Sequence, residues 1–221
     1  PVVGILIGLI ASLIGYGSIN LFSNEIGAFF TILSIYFMTG LVHLDGLSDF
    51  SDGIMASGSK KEKISAMKDV AVGIGGIFSV VFVLLTSFYT ISHLGEMTLN
   101  TAIQKDISWY QFSCALIMSE VSAKLSMNSC IVMGREMPDG LGQLFIMRST
   151  KKKYVAAVTL SVLVGIILTR SYFVVVLTGV IIAVVVVKLA HKNFGGINGD
   201  VMGASNEISR TVTLLVWAVV Y

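Results

Sequence analysis

The sequence has little charge, almost no proline and only two cysteines. Of its 221 residues, 13% are charged, two are proline and two are cysteine. Cys114 and Cys130 lie in one apolar stretch, so they predict neither a disulfide framework nor a zinc site. A water-soluble globular domain carries more charge than this. With 55% hydrophobic residues and a mean hydropathy of +0.86, the chain is predicted to be an integral membrane protein.

Long apolar runs predict an all-α, polytopic bundle of transmembrane helices. A helix needs about 20 residues to cross about 30 Å of hydrocarbon. Because the chain opens on Pro1 inside such a run, we expect an N-terminal part to be missing from this single membrane domain, 1–221. The fifth and sixth runs are short and could instead form one helical hairpin. About seven spans are expected, near residues 1–22, 26–43, 73–92, 109–133, 154–169, 172–190 and 211–221.

The basic residues accumulate in alternate loops. Twelve of the 15 lysines and arginines, Arg210 among them, follow the second, fourth and sixth expected spans. Lysine and arginine are enriched in cytoplasmic loops, so these loops are predicted to face the cytoplasm of a cell-membrane protein. They are the Asp-rich segment 44–72 and the loops 134–153 and 191–210. A net charge of +2 gives no reason to expect a nucleic-acid partner.

Three aspartates follow the second expected span. Asp45, Asp49 and Asp52 are spaced by four and three residues, which places them on one face of a helix. A single aspartate at a helix start is most often an N-cap, but three on one face cannot all be caps. Because like charges repel, a bound divalent cation is the simplest explanation. Mg²⁺ is held by a few carboxylates together with water and substrate phosphate.

Two further segments on the same predicted side combine charge with glycine. Lys68 and Asp69 precede Gly73 to Gly76, and the glycine-rich stretch 193–203 contains Asn198 and Asp200. Glycines let backbone N–H groups approach an anion closely, so these segments predict a phosphate site with metal. Asp69 could instead cap the third span, and the glycines of 193–203 could merely bend the chain.

One pair of charges lies inside an expected span. Glu120 and Lys124 are four residues apart, so they could neutralise each other within the helix or face a substrate. His43 could hydrogen-bond in the core. The sequence has no nucleophilic triad and no redox fingerprint. A metal on carboxylates with nearby lysines favours displacement at a phosphate, with one aspartate accepting the proton of an incoming hydroxyl.

Three blocks, in order along almost the whole chain, resemble the cobalamin synthase family, the adenosylcobinamide-GDP ribazoletransferases. They are residues 43–53, residues 67–76 and residues 195–204. The resemblance implies an enzyme of cobalamin biosynthesis that joins adenosylcobinamide-GDP to α-ribazole or its 5′-phosphate and releases GMP. Mg²⁺ is the implied cofactor. On this basis Asp45, Asp49, Asp52 and Asp69 are predicted as metal ligands and catalytic residues, and the predicted substrate contacts are His43, Lys68, Arg135, Asn198 and Asp200.

The chain departs from the family at two places. Val70 and Ala71 stand where the family commonly has Ser-Arg, so a phosphate contact made by that arginine is lost or supplied elsewhere. Arg135 resembles the family's arginine before Gly-Leu-Gly, although the gap to Gly140 is longer here.

Other functions fit parts of the sequence. Residues 49–56 match the first half of the CDP-alcohol phosphotransferase signature, but Ser57 replaces its arginine and no aspartate stands at 73. Asp45 and Asp49 also suit an intramembrane prenyltransferase, and a cation transporter is the non-enzyme alternative. Gly4 and Gly8 of the first span could pack helices closely, which leaves a homo-oligomer open.

Overall fold

The computed structural model describes residues 1–100, 105–137 and 150–220, and the expectation of an all-α fold is confirmed for them. They form nine α-helices and one 3₁₀ helix, joined by short connections. One isolated β-bridge, between Glu136 and Ile197, is the only β-pairing in this part of the chain. The helices are α1 (Val2–Leu21), α2 (Asn24–Thr39), α3 (Val42–Met55), α4 (Lys60–Met67), α5 (Ile74–Asn100), α6 (Lys105–Met133), α7 (Lys151–Thr169), the 3₁₀ helix (Arg170–Leu177), α8 (Thr178–Asn193) and α9 (Gly199–Val220).

Each expected span overlaps one of the longer helices, but fewer of them meet the requirements for crossing a membrane. Three described stretches are long and apolar enough by themselves: Val2–Leu21, Ile74–Met97 and Lys151–Asn193. A fourth is counted only if α2 and α3, which meet at an angle of 90°, are taken as one broken span. Length and composition therefore support a membrane protein with three or four spans, and they do not by themselves support seven.

The two long helices that fail this requirement bury polar side chains against each other. Ser122 and Ser126 of α6 hydrogen-bond to Ser209 and Ser205 of α9, and Thr213 donates to Ser122 over 2.9 Å. These side chains are buried. Serine and threonine let membrane helices approach closely and bond across their interface. These polar side chains lower the hydropathy of α6 and α9, although the side chains themselves are buried.

Glycines set the distance between α1 and α6. A Cβ atom on Gly4 would lie 2.7 Å from the carbonyl oxygen of Glu120, and one on Gly8 would lie 2.5 Å from the Cα of Ile117. Real Cβ atoms do not come this close to the backbone atoms of a neighbouring helix. Any side chain at either position would therefore push the helices apart. The close packing predicted for this small-residue pattern is thus used within one chain.

A buried ion-pair cluster joins α2, α6 and α9. The Nε of Arg210 lies 2.5 Å from Glu120, and its Nη1 lies 2.7 Å from Glu207. The hydroxyl of Tyr36 donates to Glu207 over 2.8 Å. Glu120 and Glu207 are fully buried and Arg210 is 3% exposed.

This cluster corrects two expectations. Arg210 is not a cytoplasmic loop charge, and the predicted loop 191–210 ends where α9 begins at Gly199, because an arginine neutralised by carboxylates can stay inside a helix bundle. Glu120 pairs with Arg210 rather than neutralising Lys124. The Nζ of Lys124 instead donates to the side-chain oxygen of Asn206 over 2.8 Å.

The apolar stretch Lys151–Asn193 reverses direction at Arg170. Arg170 has a φ of 50°, in the left-handed region, where α7 ends and the 3₁₀ helix begins. A Cβ atom on Gly165 would lie 3.1 Å from the Cα of Phe173, so the chain returns along α7. The 3₁₀ helix therefore packs back against the end of α7 before α8 begins.

We expect Arg210→Met to destabilise the fold strongly, because it leaves two carboxylates buried without a counter-charge. Breaking a buried pair from one side costs about 3–5 kcal/mol, which corresponds to a fall in Tm of roughly 10 °C for a chain of this size. Thermal unfolding of the detergent-solubilised protein measures it. Arg170→Met, at an exposed arginine, is the matched control. Equal melting temperatures for the two variants would contradict this role of Arg210.

Candidate active site

The candidate site lies where α3 crosses the start of α9. A Cβ atom on Gly46 would lie 3.0 Å from the Cα of Asp200, and one on Gly203 would lie 3.0 Å from the carbonyl oxygen of His43. Only glycine allows the two backbones to approach this closely. The crossing brings the aspartate face of α3 beside Asp200, which is more than 140 residues away in sequence.

Four carboxylates gather at this crossing. Asp45, Asp52 and Asp200 all lie close enough to Asp49 to disfavour its negative charge. Asp49 is also partly buried, whereas Asp45 is exposed. The structure thus unites residues that the sequence assigned to two separate segments, and it concentrates negative charge on a small region.

Asn198 holds Asp200 in place, and Lys68 lies near it. The side-chain amide of Asn198 donates to Asp200 over 2.6 Å, while its oxygen accepts from the backbone N–H of Val201 over 3.1 Å. Asn198 therefore caps α9 and orients the aspartate at once. Lys68, at the end of α4, is the basic residue that lies close enough to attract Asp200. Both residues were among the predicted substrate contacts, and both border the cluster.

A short helix carries Lys68 to the site. Helix α4 begins with a capping box, in which the Ser59 hydroxyl accepts from the N–H of Glu62 and the Glu62 carboxylate accepts from the N–H of Ser59. The bond from the Ser59 N–H, together with one that the Ser59 hydroxyl donates to the same carboxylate, lowers the pKa of the Glu62 carboxyl. The Nζ of Lys63 donates to the carbonyl oxygen of Ile54 over 3.1 Å, which fastens α4 to the end of α3.

Asp52 has a structural partner that the sequence did not predict. Its two oxygens accept from the backbone N–H groups of Gly73 and Gly76, each over 2.8 Å. A Cβ atom on Gly76 would lie 2.7 Å from the Asp52 carboxylate, and one on Gly73 would be closer still. The glycine cluster does let backbone amides approach an anion, but that anion is Asp52. Asp52 therefore anchors the start of α5.

Asp69 and Arg135 are not brought into the cluster by any contact among the described residues. Asp69 is exposed, and its Oδ1 accepts from the N–H of Ala71 in a local turn. It therefore does not cap the third span. The backbone N–H of Arg135 donates to the His191 ring over 3.0 Å, and its side chain is exposed. Gly140 and its neighbours lie outside the described residues.

The carboxylates suit a divalent cation only in part. Their oxygens are the donors that Mg²⁺ prefers, and their mutual repulsion would be relieved by a cation. Among the residues described, however, no three histidine, cysteine or acidic side chains are grouped closely enough to hold a metal by themselves. The donor set fits an ion that is completed by oxygens from a substrate.

We expect Asp52→Ala to loosen the start of α5, because two backbone N–H groups would lose their acceptor. Loss of such a cap costs about 1–2 kcal/mol. Hydrogen exchange of the amides of Gly73 to Ile77 measures the effect locally. Asp49→Ala, on the same face of α3 without these two bonds, is the control. Unchanged protection of these amides in Asp52→Ala would contradict the anchoring role.

Comparison with known proteins places this chain in a family. The chain is 32% identical over 217 residues to the adenosylcobinamide-GDP ribazoletransferase of Methanococcoides burtonii, covering 98% of this chain and 79% of that protein. It is 33% identical over 231 residues to the protein of the same name from Methanosarcina mazei, covering 99% and 80%. For that of Thermococcus kodakarensis the identity is 35% over 192 residues, covering 86% and 76%.

No solved structure matches the fold significantly. The model of one protein family, described as cobalamin-5-phosphate synthase, matches residues 1–218. The chain belongs to the cobalamin-5-phosphate synthase family.

Proposed function

We propose that this protein is an adenosylcobinamide-GDP ribazoletransferase, which joins the activated corrinoid to α-ribazole or its 5′-phosphate and releases GMP. The names of its relatives support the substrates. The observation that carries the proposal is the gathering of Asp45, Asp49 and Asp200 at the crossing of α3 and α9, with Lys68 beside them. Carboxylates that gather without a matching number of cations suit a magnesium-bound diphosphate.

Asp45 and Asp200 are the residues that would hold Mg²⁺ together with phosphate oxygens of the substrate. Mg²⁺ sites of this kind use one or two carboxylates and leave the remaining positions to water and phosphate. The ion would supply charge neutralisation to the departing GMP. Asp52 is left out of this set because both of its oxygens hold backbone amides of α5.

The chain's own residues position and deprotonate the acceptor. The acceptor oxygen forms a bond to the phosphorus that carries the corrinoid, and the bond from that phosphorus to the GMP oxygen breaks. GMP leaves with the bonding electron pair. Asp49 accepts the proton of the acceptor hydroxyl, because burial and three neighbouring carboxylates favour its neutral form. Lys68 neutralises phosphate charge from the α4 side.

We propose that α6 and α9 cross the membrane as well, and that α7 and α8 cross it separately, so that the chain has about seven spans. Helices α6 and α9 are 29 and 22 residues long, and their polar side chains are satisfied against each other rather than exposed to lipid. The ends of α3, α4 and α8 then lie on one face with Lys60, Lys61 and Lys192. That face is the cytoplasmic face of the cell membrane.

We expect Asp49→Asn and Asp45→Asn both to lower the rate of GMP release by about a hundredfold or more, since each removes a group that acts on the reacting phosphate. The assay uses purified protein, adenosylcobinamide-GDP, α-ribazole or its phosphate, and Mg²⁺. Glu25→Gln, in the first turn of α2, is the control for loss of a carboxylate. Full turnover in Asp49→Asn would contradict the proposed base.

Binding of Mn²⁺, used as a probe for Mg²⁺, distinguishes the proposed role of Asp45 from that of Asp49. With adenosylcobinamide-GDP present, Asp45→Asn should weaken Mn²⁺ binding by about tenfold, whereas Asp49→Asn should leave it nearly unchanged. Without the nucleotide, the wild-type protein should bind Mn²⁺ weakly, because the side chains alone do not complete a site. Electron paramagnetic resonance of free Mn²⁺ measures the Mn²⁺ affinity of both variants and of the wild-type protein without nucleotide. Tight binding without nucleotide would contradict a substrate-completed site.

A further inference from the structure

A histidine in the last turn of α8 holds the segment that follows α6. The backbone N–H of Arg135 donates to the Nε2 atom of His191 over 3.0 Å. Because α6 has ended at Met133, this N–H takes the ring rather than a helix carbonyl as its acceptor. The Nζ of Lys60 donates to the carbonyl oxygen of His191 over 3.3 Å. His191 therefore joins α4, α8 and the end of α6.

The held segment is paired with the loop that leads into α9. The N–H of Ile197 donates to the carbonyl oxygen of Arg135 over 2.7 Å, and the N–H of Met137 donates to the carbonyl oxygen of Ile197 over 3.0 Å. A Cβ atom on Gly196 would lie 2.7 Å from the Arg135 carbonyl oxygen, so the two backbones are in direct contact. Ile197 and Met137 are buried. Residues 135–137 thus fix the loop before α9.

This loop carries the residue that orients Asp200. Ile197 is followed by Asn198, whose side-chain amide donates to Asp200 over 2.6 Å. An unbroken series of hydrogen bonds and adjoining peptide units therefore runs from His191 through Arg135, Ile197 and Asn198 to Asp200. A functional side chain must be held within about 0.5 Å of its working position, and its supporting contacts decide whether it is.

Only the neutral form of the His191 ring can make this contact. An Nε2 atom that accepts a hydrogen bond carries no proton, so the proton is on Nδ1. Partial burial favours the neutral ring, and so do the charged groups that face it among the described residues, Arg135 and Lys60 of α4, which are both positive. A ring that gains a second proton loses its acceptor, so acid breaks the hydrogen bond to Arg135.

We propose that His191 is a positioning residue for the reaction: its neutral ring holds residues 135–137, and through them Asn198 and Asp200. The inference rests on the proposed function and deepens it, because it names a residue that acts on a metal ligand through the backbone. Two substitutions separate the hydrogen bond from the bulk of the ring. The side-chain oxygen of glutamine can accept the bond but does not titrate, whereas phenylalanine keeps a ring and has no acceptor.

We expect His191→Phe to lower kcat for GMP release by about tenfold, because Asp200 is no longer held in place. Mn²⁺ binding in the presence of adenosylcobinamide-GDP should weaken as well. His191→Gln should retain nearly the wild-type values of both. His93→Phe, at an exposed histidine of α5, is the control and should change neither. A wild-type kcat per folded protein in His191→Phe, or an equal loss in His191→Gln, would overturn the proposal.

The pH profile decides the case in which His191→Phe does not fold. Between about pH 7.5 and about pH 5 the histidine of the wild-type protein gains a proton, whereas the glutamine of His191→Gln does not. Loss of activity through protonation of Asp49 is common to both proteins and cancels in the ratio of their kcat values. The ratio of His191→Gln to wild type should rise by about threefold or more over this range. A ratio that does not change with pH would overturn the proposal.

The failure of the proposed function has a different signature. In that case the wild-type protein would release no GMP at any pH. Wild-type turnover with no response to His191→Phe and a ratio independent of pH defeats only the role of His191.

Discussion

The ion pairs of Arg210 fix the arrangement on which the site depends. Arg210 on α9 holds Glu120 on α6 and Glu207 on its own helix, and Glu207 in turn accepts from Tyr36 on α2. Because charges cannot separate in an apolar interior without a large cost, α9 cannot slide along α6 by a turn. Asp200 lies ten residues towards the start of the same helix, about 15 Å away along its axis. The position of this carboxylate is therefore set from the buried interior of the helix bundle.

From this fixed helix, the site is assembled by close backbone contacts and one anchored loop. Gly46 and Gly203 let α3 cross α9 at van der Waals distance, which brings the α3 aspartates to Asp200. Asp52 then ties the start of α5 to α3 through two backbone amides. Each of these contacts restricts the movement of the carboxylates before a substrate binds. Little further ordering of these side chains is then needed during the reaction. In the proposed function, a bound cation would relieve the repulsion among them.

The sequence predicted the helices and the aspartate face, because apolar length and carboxylate spacing are local properties. It could not predict the partner of Asp52, since glycine amides bind a carboxylate of the chain as readily as a substrate phosphate. It misplaced Arg210 for a similar reason: composition does not reveal that an arginine is neutralised by two buried carboxylates. The Glu120 and Lys124 spacing suggested a pair, yet packing against α9 gave each a different partner. Long-range contacts decided these cases, and spacing along one helix carries no information about them.

The central claim is that the carboxylates at the crossing of α3 and α9 receive a magnesium-bound diphosphate. A structure of the membrane-embedded protein with Mg²⁺ and adenosylcobinamide-GDP tests it most directly. The account predicts density for a metal ion between Asp45 and Asp200, in contact with the diphosphate, and the Asp52 carboxylate still bound to Gly73 and Gly76. A diphosphate bound away from this crossing, with no metal at Asp45 or Asp200, would contradict it.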